Sequence, residues 1–171
     1  MKKIFLFLVC AASITAIRAQ EKQPIQLAAG VNIGIPVGNF SKSHSFGFGF
    51  EGQGEYMVAE KVGLIGSLGY THFLGKNLDG YYYDYKVKGV GVIPILAGAR
   101  YYSTEQVFVG GKLGLGVFTG GGSGTGFNFA PQVGYNTDKF QAVLAFNLLS
   151  QEGGNASFLG LSGVYKFASK K

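Results

Sequence analysis

Residues 46–56 read Phe-Gly-Phe-Gly-Phe-Glu-Gly-Gln-Gly-Glu-Tyr, and this alternation restricts the fold more than any other feature of the chain. At a period of two, Phe46, Phe48, Phe50, Gly52, Gly54 and Tyr56 share one face, and Gly47, Gly49, Glu51, Gln53 and Glu55 share the other. Successive side chains of a strand point to opposite sides, so this segment is a strand between two different surroundings. In a soluble sandwich the apolar face would be core. The rest of the chain argues that it faces lipid and that the polar face lines a closed barrel.

The first segment has the composition of an export signal. Lys2 and Lys3 precede an apolar run from Ile4 to Ala16, and Ile17-Arg18-Ala19 offers a small residue for cleavage, so residues 1–19 are expected to be removed. The run is too short for the ~20 residues of a membrane-spanning helix. Cys10 raises lipidation, but Val9 stands before it where a small residue is expected. Residues 20–171 then form one domain. Loss of Lys2, Lys3 and Arg18 lowers the formal charge from +6 to +3, which gives nucleic-acid binding little support. The only cysteine also leaves, and with it any disulfide or thiolate metal site. No cofactor is implied. No segment of 20–171 approaches ~18 consecutive apolar residues, which excludes membrane helices.

Alternation recurs along the chain. Strands are expected at about 27–36, 46–58, 62–73, 86–101, 107–118, 126–136, 140–149 and 157–167, each near the ~10 residues of a tilted strand crossing a bilayer. Longer polar loops (36–45, 75–85, 119–124, 150–155) alternate with tight turns (59–61, 103–106, 137–139). That order joins an even number of strands and puts both termini on the short-turn, periplasmic side. The 29 glycines follow no Gly-X-Y period and sit among Val, Ile, Leu, Phe and Tyr. Glycine weakens an ordinary strand, but it suits the crowded inner wall of a narrow barrel. The expected fold is all-β, an eight-stranded antiparallel up-and-down transmembrane barrel with a polar, Gly-rich interior.

Charge is segregated by parity. In 86–101, Val87, Gly89, Gly91, Ile93, Ile95, Ala97, Ala99 and Tyr101 share one face, and Lys86, Lys88 and Arg100 the other. Val107, Val109, Leu113, Leu115 and Val117 oppose Lys112; Phe127, Phe129, Pro131, Val133 and Tyr135 oppose Asn128, Gln132 and Asn136. Phe140, Ala142, Leu144, Phe146 and Leu148 oppose Gln141 and Asn147, and Leu159, Leu161, Gly163, Tyr165 and Phe167 oppose Ser162 and Lys166. A charge facing lipid costs ~2–4 kcal/mol at the midplane, and a slip of one residue would put Glu51 or Lys112 there. Aromatics collect where strands end. Tyr56, Tyr101, Tyr102, Phe108, Tyr135, Phe140, Tyr165 and Phe167 lie near the turns. Phe46, Tyr70, Phe73, Tyr81, Tyr82, Tyr83, Tyr85, Phe118 and Phe127 lie near the loops, as two interfacial girdles would require. Pro94 and Pro131 each predict a bulge or a missing ladder bond.

Three segments carry a resemblance. Gly30-Val31-Asn32-Ile33-Gly34-Ile35-Pro36-Val37-Gly38-Asn39-Phe40-Ser41 resembles the opening of small porin-like outer-membrane β-barrel proteins of the Bacteroidetes type. Ile93-Pro94-Ile95-Leu96 leading to Gly98-Ala99-Arg100-Tyr101-Tyr102 is similar to their central strand, and Val164-Tyr165-Lys166-Phe167 to their closing one. The resemblance spans residues 20–171 and implies a fold and an outer-membrane address rather than a task. The tail Ala168-Ser169-Lys170-Lys171 departs from the family pattern, whose assembly signal ends on the aromatic itself.

The expected site is the lumen. Glu51 and Glu55 share it with Lys88, Arg100 and Lys112, alongside Gln53, Asn128, Gln132, Gln141 and Asn147. Opposite charges in a low-dielectric wall should pair, giving a salt-bridged plug; an unpaired ring would instead select ions in a narrow pore. Expected partners are outer-membrane lipid and the barrel-insertion machinery, with the chain a monomer. A surface-binding or adhesion role through the Tyr-rich loop 75–85 and an unidentified external ligand is one alternative; a secreted lipocalin-type barrel, apolar inside, is another. An outer-membrane lipid-modifying enzyme would need a Ser–His–acid contact among His44, His72, Ser41, Ser43, Ser45, Asp79 and Asp84, which no spacing enforces, so a non-enzyme is expected.

Overall fold

The computed structural model describes residues 25–78, 85–121, 124–151 and 154–167. Eight long strands close on themselves: β1 (Gln26–Val37), β2 (His44–Ala59), β3 (Val62–Gly75), β6 (Val90–Tyr102), β7 (Val107–Gly120), β8 (Gly124–Asn136), β9 (Phe140–Gln151) and β10 (Gly154–Lys166). Every neighbour is antiparallel, and β10 returns to β1 from Ala28↔Lys166 to Val37↔Ser157, so the barrel has no free edge. Two short pieces, β4 (Asn77–Leu78) and β5 (Tyr85–Lys86), form a hairpin outside the wall, and α1 (Phe40–Ser43) is a single turn between β1 and β2.

Parity decides which face is inside. Phe46, Phe48 and Phe50 are exposed on the exterior, whereas Gln53 and Glu55 are buried. The same outward apolar set continues through Val31, Ile33, Leu68, Ile95, Leu113, Leu115, Phe129 and Leu144 around the circumference. Among the described residues, no charged side chain interrupts it. An apolar exterior around a polar interior is the reverse of a lipocalin-type barrel and excludes that alternative.

The fourth barrel strand begins at Val90 and not at residue 86, which is a correction to the sequence reading. The chain leaves the wall at Gly75, forms the β4–β5 hairpin, and re-enters only after Gly89, whose carbonyl accepts from Gly121 N at 2.9 Å. Lys86 and Lys88 therefore sit beyond the end of the barrel, where both are exposed and solvated. At the prolines the ladder is interrupted on one side without a shift of register. Pro94 stays opposite Gly116 in β7, but pairing with β3 lapses between Leu68↔Ile95 and Thr71↔Val92. Pro131 stays opposite Gly111, and pairing with β9 lapses between Phe129↔Leu148 and Gln132↔Ala145. A missing N–H donor accounts for both gaps.

Two of the eight aromatics expected at the turn-side interface point inward. Tyr56, Tyr101, Tyr135, Phe140, Tyr165 and Phe167 are exposed, but Phe108 is fully buried and Tyr102 nearly so. Each lies one residue from an outward neighbour, Tyr101 and Val107, and so belongs to the other face. On the loop side Phe46 and Phe127 face outward, while Phe73 and Phe118 are buried inside. Tyr81, Tyr82 and Tyr83 lie outside the described residues.

Candidate functional site: a layered lumen

The wall brings four of the five expected charges into the lumen and arranges them in layers. Nearest the turns, Arg100 is 1% exposed and is held by three side chains. Its Nη1 donates to Glu55 Oε2 at 3.0 Å and to Gln141 Oε1 at 3.2 Å, and its Nη2 donates to Gln53 Oε1 at 3.1 Å. Gln53 Nε2 in turn donates to Gln141 Oε1 at 2.7 Å, and Tyr102 Oη donates to Glu55 Oε1 at 2.8 Å. The guanidinium lies 4.3 Å from the centroid of the Phe108 ring, a cation–π contact in a dry setting. An arginine suits this place because its planar fork can serve several acceptors at once. A buried ion pair stabilises best when its other lone pairs and protons are matched; here both Glu55 oxygens are, while Arg100 Nε has no protein partner.

The same network reaches the turn-side mouth. Gln141 Nε2 donates to Asn136 Oδ1 at 3.0 Å, and Lys166 Nζ donates to the same oxygen at 2.9 Å. Outside this floor is an open vestibule of about 610 Å³, rimmed by Glu60, Lys61 and Glu105.

Above the floor lies a polar middle layer. Lys112 Nζ is 3.8 Å from Glu51 Oε2, and Thr71 Oγ1 donates to Asn32 Oδ1 at 2.9 Å. Asn147 lines this level; Asn128 and Gln132 are also buried, and their amide groups have no protein partner. A cavity of about 40 Å³ lies at this level, enough to admit water.

The loop-side end is apolar. Phe73, Phe158, Phe118, Val90, Val92, Leu149 and Ala156 fill the lumen, with Phe40 of α1 over them. Phe73 stacks edge-on against Phe158 at 4.9 Å and against Phe40 at 5.0 Å. Glycine makes the space. A Cβ at Gly34 would lie 2.7 Å from the Phe73 ring, and one at Gly47 would lie 2.6 Å from it. The crowded inner face is thus the physical reason for the inward glycines.

The sequence reading needs one correction at the site and misses one layer. Lys88 does not reach the lumen; it is exposed beyond β5, and no ion pair among the described residues includes it. The apolar layer is not legible from residue type, because a large aromatic suits a membrane interface as well as a packed lumen. Parity was the available signal, since Phe73 alternates with Leu74 and Phe158 with Leu159. The histidines form no catalytic set among the described residues. Ser43 Oγ is 2.9 Å from His44 Nδ1, but among the described residues neither histidine has a carboxylate within ion-pair distance. His72 lies on the outer wall, 3.3 Å from Tyr70 Oη, and Asp79 and Asp84 lie outside the described residues.

No protein-family model matches the chain, and no curated protein matches it in sequence. Solved structures do match in fold. Ail, the attachment invasion locus protein of Yersinia pestis, aligns with a TM-score of 0.58 at 16% identity, covering 86% of this chain and 100% of Ail. Neisserial surface protein A aligns with a TM-score of 0.56 at 14% identity, covering 83% of this chain and 95% of that one. The outer membrane protein OprG of Pseudomonas aeruginosa aligns with a TM-score of 0.52 at 12% identity, covering 87% and 98%. At these identities the likeness is one of fold. Taken with the continuous apolar belt and the polar lumen, it makes this chain an eight-stranded transmembrane β-barrel of the outer membrane.

Proposed function

We propose that the protein is a non-catalytic, closed outer-membrane barrel whose lumen is a structural plug and not a pore. The carrying observation is the floor around Arg100, which is 1% exposed and contacted by Glu55, Gln53, Gln141 and Phe108, with Tyr102 bonded to Glu55. Eight strands enclose little more than their own side chains, so one packed layer is enough to block solute. On this reading residues 1–19 are an export signal, the belt contacts outer-membrane lipid as a monomer after delivery by the insertion machinery, and the chain is of the porin-like Bacteroidetes type that its segments resemble. Liposome swelling tests it: vesicles holding the protein should shrink and swell with a small sugar no faster than protein-free vesicles. Swelling that scales with protein content would sink the plug in favour of a pore.

A second reading, surface binding, draws on Ail, whose name describes attachment and which has been solved with the heparin analogue sucrose octasulfate. The favouring observation is a loop-side rim carrying exposed Lys42, Lys76, Lys86 and Lys88. Salt-sensitive binding of sucrose octasulfate, lost in a Lys76→Ala/Lys88→Ala variant, would support it; no binding at low salt would remove it.

A further inference from the structure

The loop-side end of the lumen is closed by a piece that is not part of the wall. α1 is a single turn, with Phe40 only 8% exposed over Phe73 and against the His44 ring at 4.7 Å. Both of its ends are points where the backbone departs from the ladder. Before it, Gly38 adopts φ +60 with nothing near its would-be Cβ, a left-handed position that glycine takes without strain. After it, pairing of β2 with β3 slips by one residue between His44↔Gly75 and Gly47↔Phe73, a bulge. What holds the turn down from outside is slight. Lys76 N donates to Ser43 O at 2.9 Å, and Lys76 Nζ donates to Ser41 O at 2.7 Å on an exposed face.

We propose that α1 is a hinged lid over the loop-side mouth, with Phe40 as its stopper, Gly38 and the β2 bulge as its hinges, and Lys76 as its latch. Raising the lid exposes the apolar layer of Phe73, Phe158 and Ala156 to the outer surface while the Arg100 floor stays shut. The lumen then opens as a blind apolar cup toward the outside, not as a channel. Short, weakly braced segments are where local opening is expected, because few buried contacts oppose it.

The proposal rests on the closed-lumen reading, and the two can fail separately. Ala156, buried in the apolar layer, is replaced by Cys in a Cys10→Ser chain, and the folded protein in micelles is treated with a small cationic methanethiosulfonate. The unmodified lid should give slow labelling. Adding Phe40→Ala should raise the rate at least about tenfold, as loss of one buried phenyl contact would. Lys76→Ala should raise it severalfold, and Glu55→Gln should leave it unchanged. Heat-dependent gel mobility reports folding of each variant. Lys76 is a surface residue, so its variant decides the matter if Phe40→Ala does not fold. Rates unaffected by Phe40→Ala and Lys76→Ala, or a rate raised by Glu55→Gln instead, would overturn the lid. A conducting unmodified barrel would overturn the plug and leave the labelling result standing.

Discussion

Arg100 illustrates why single residues in this lumen carry unequal weight. Its charge is almost fully removed from water and is compensated by Glu55, with Gln53 and Gln141 supplying further acceptors. Truncating one partner of such a pair leaves the other charge buried and alone, which costs about 3–5 kcal/mol. Glu55→Ala should therefore lower the urea stability of the folded barrel in lipid vesicles by that amount. Glu55→Gln, which keeps an acceptor for Arg100, should cost clearly less. Equal losses would mean that shape and not charge holds the floor. Glycine gives the complementary prediction. A Cβ at Gly134 would run into the Phe108 ring, so Gly134→Ala should destabilise by about 1–3 kcal/mol through overpacking. Adding Phe108→Leu should recover part of that loss in a double-mutant cycle. Additive effects would show that the two sites are not packed together.

At the scale of the element, each strand is one phase decision repeated along its length. In β7, Leu113 lies mid-strand on the exterior, while Lys112 beside it is buried in the lumen. Leu113→Arg should cost about 2–4 kcal/mol in bilayer refolding equilibria, because the charge meets hydrocarbon. The same substitution near the turns, at Val107, should cost at most about 1 kcal/mol. Matching costs would contradict the assigned depth. Phase is also why so much was legible beforehand. Within the bilayer, two opposed surroundings leave a period-two imprint, and Phe46 to Tyr56 can be read directly. Beyond the bilayer both faces meet water and the imprint fades. The sequence therefore extends the wall to residue 86, where β6 starts only at Val90, and it stops β7 at residue 118, where the strand continues to Gly120. The apolar layer was misjudged for a related reason. An aromatic suits both a membrane interface and a packed lumen, so residue type alone cannot separate Phe73 and Phe108 from Phe46 and Phe140. Pairing was beyond reach in another way. Gln53 and Gln141 are far apart in the chain, and only closure of the barrel brings them within 2.7 Å.

For the molecule as a whole, the layers act in series. A solute from the turn side enters the vestibule, meets the Arg100 floor, then a small cavity of about 40 Å³, and finally the aromatic layer under α1. On the plug reading each barrier alone would suffice, and the lumen would stay closed after a single substitution. Single-channel recording across a planar bilayer tests this most directly. The unmodified protein should insert without discrete conductance steps, and so should Glu55→Gln. A combined Glu55→Ala/Phe73→Ala/Phe158→Ala variant that still folds should show steps, since it thins both the floor and the cap. Discrete, reproducible steps from the unmodified protein would contradict the account.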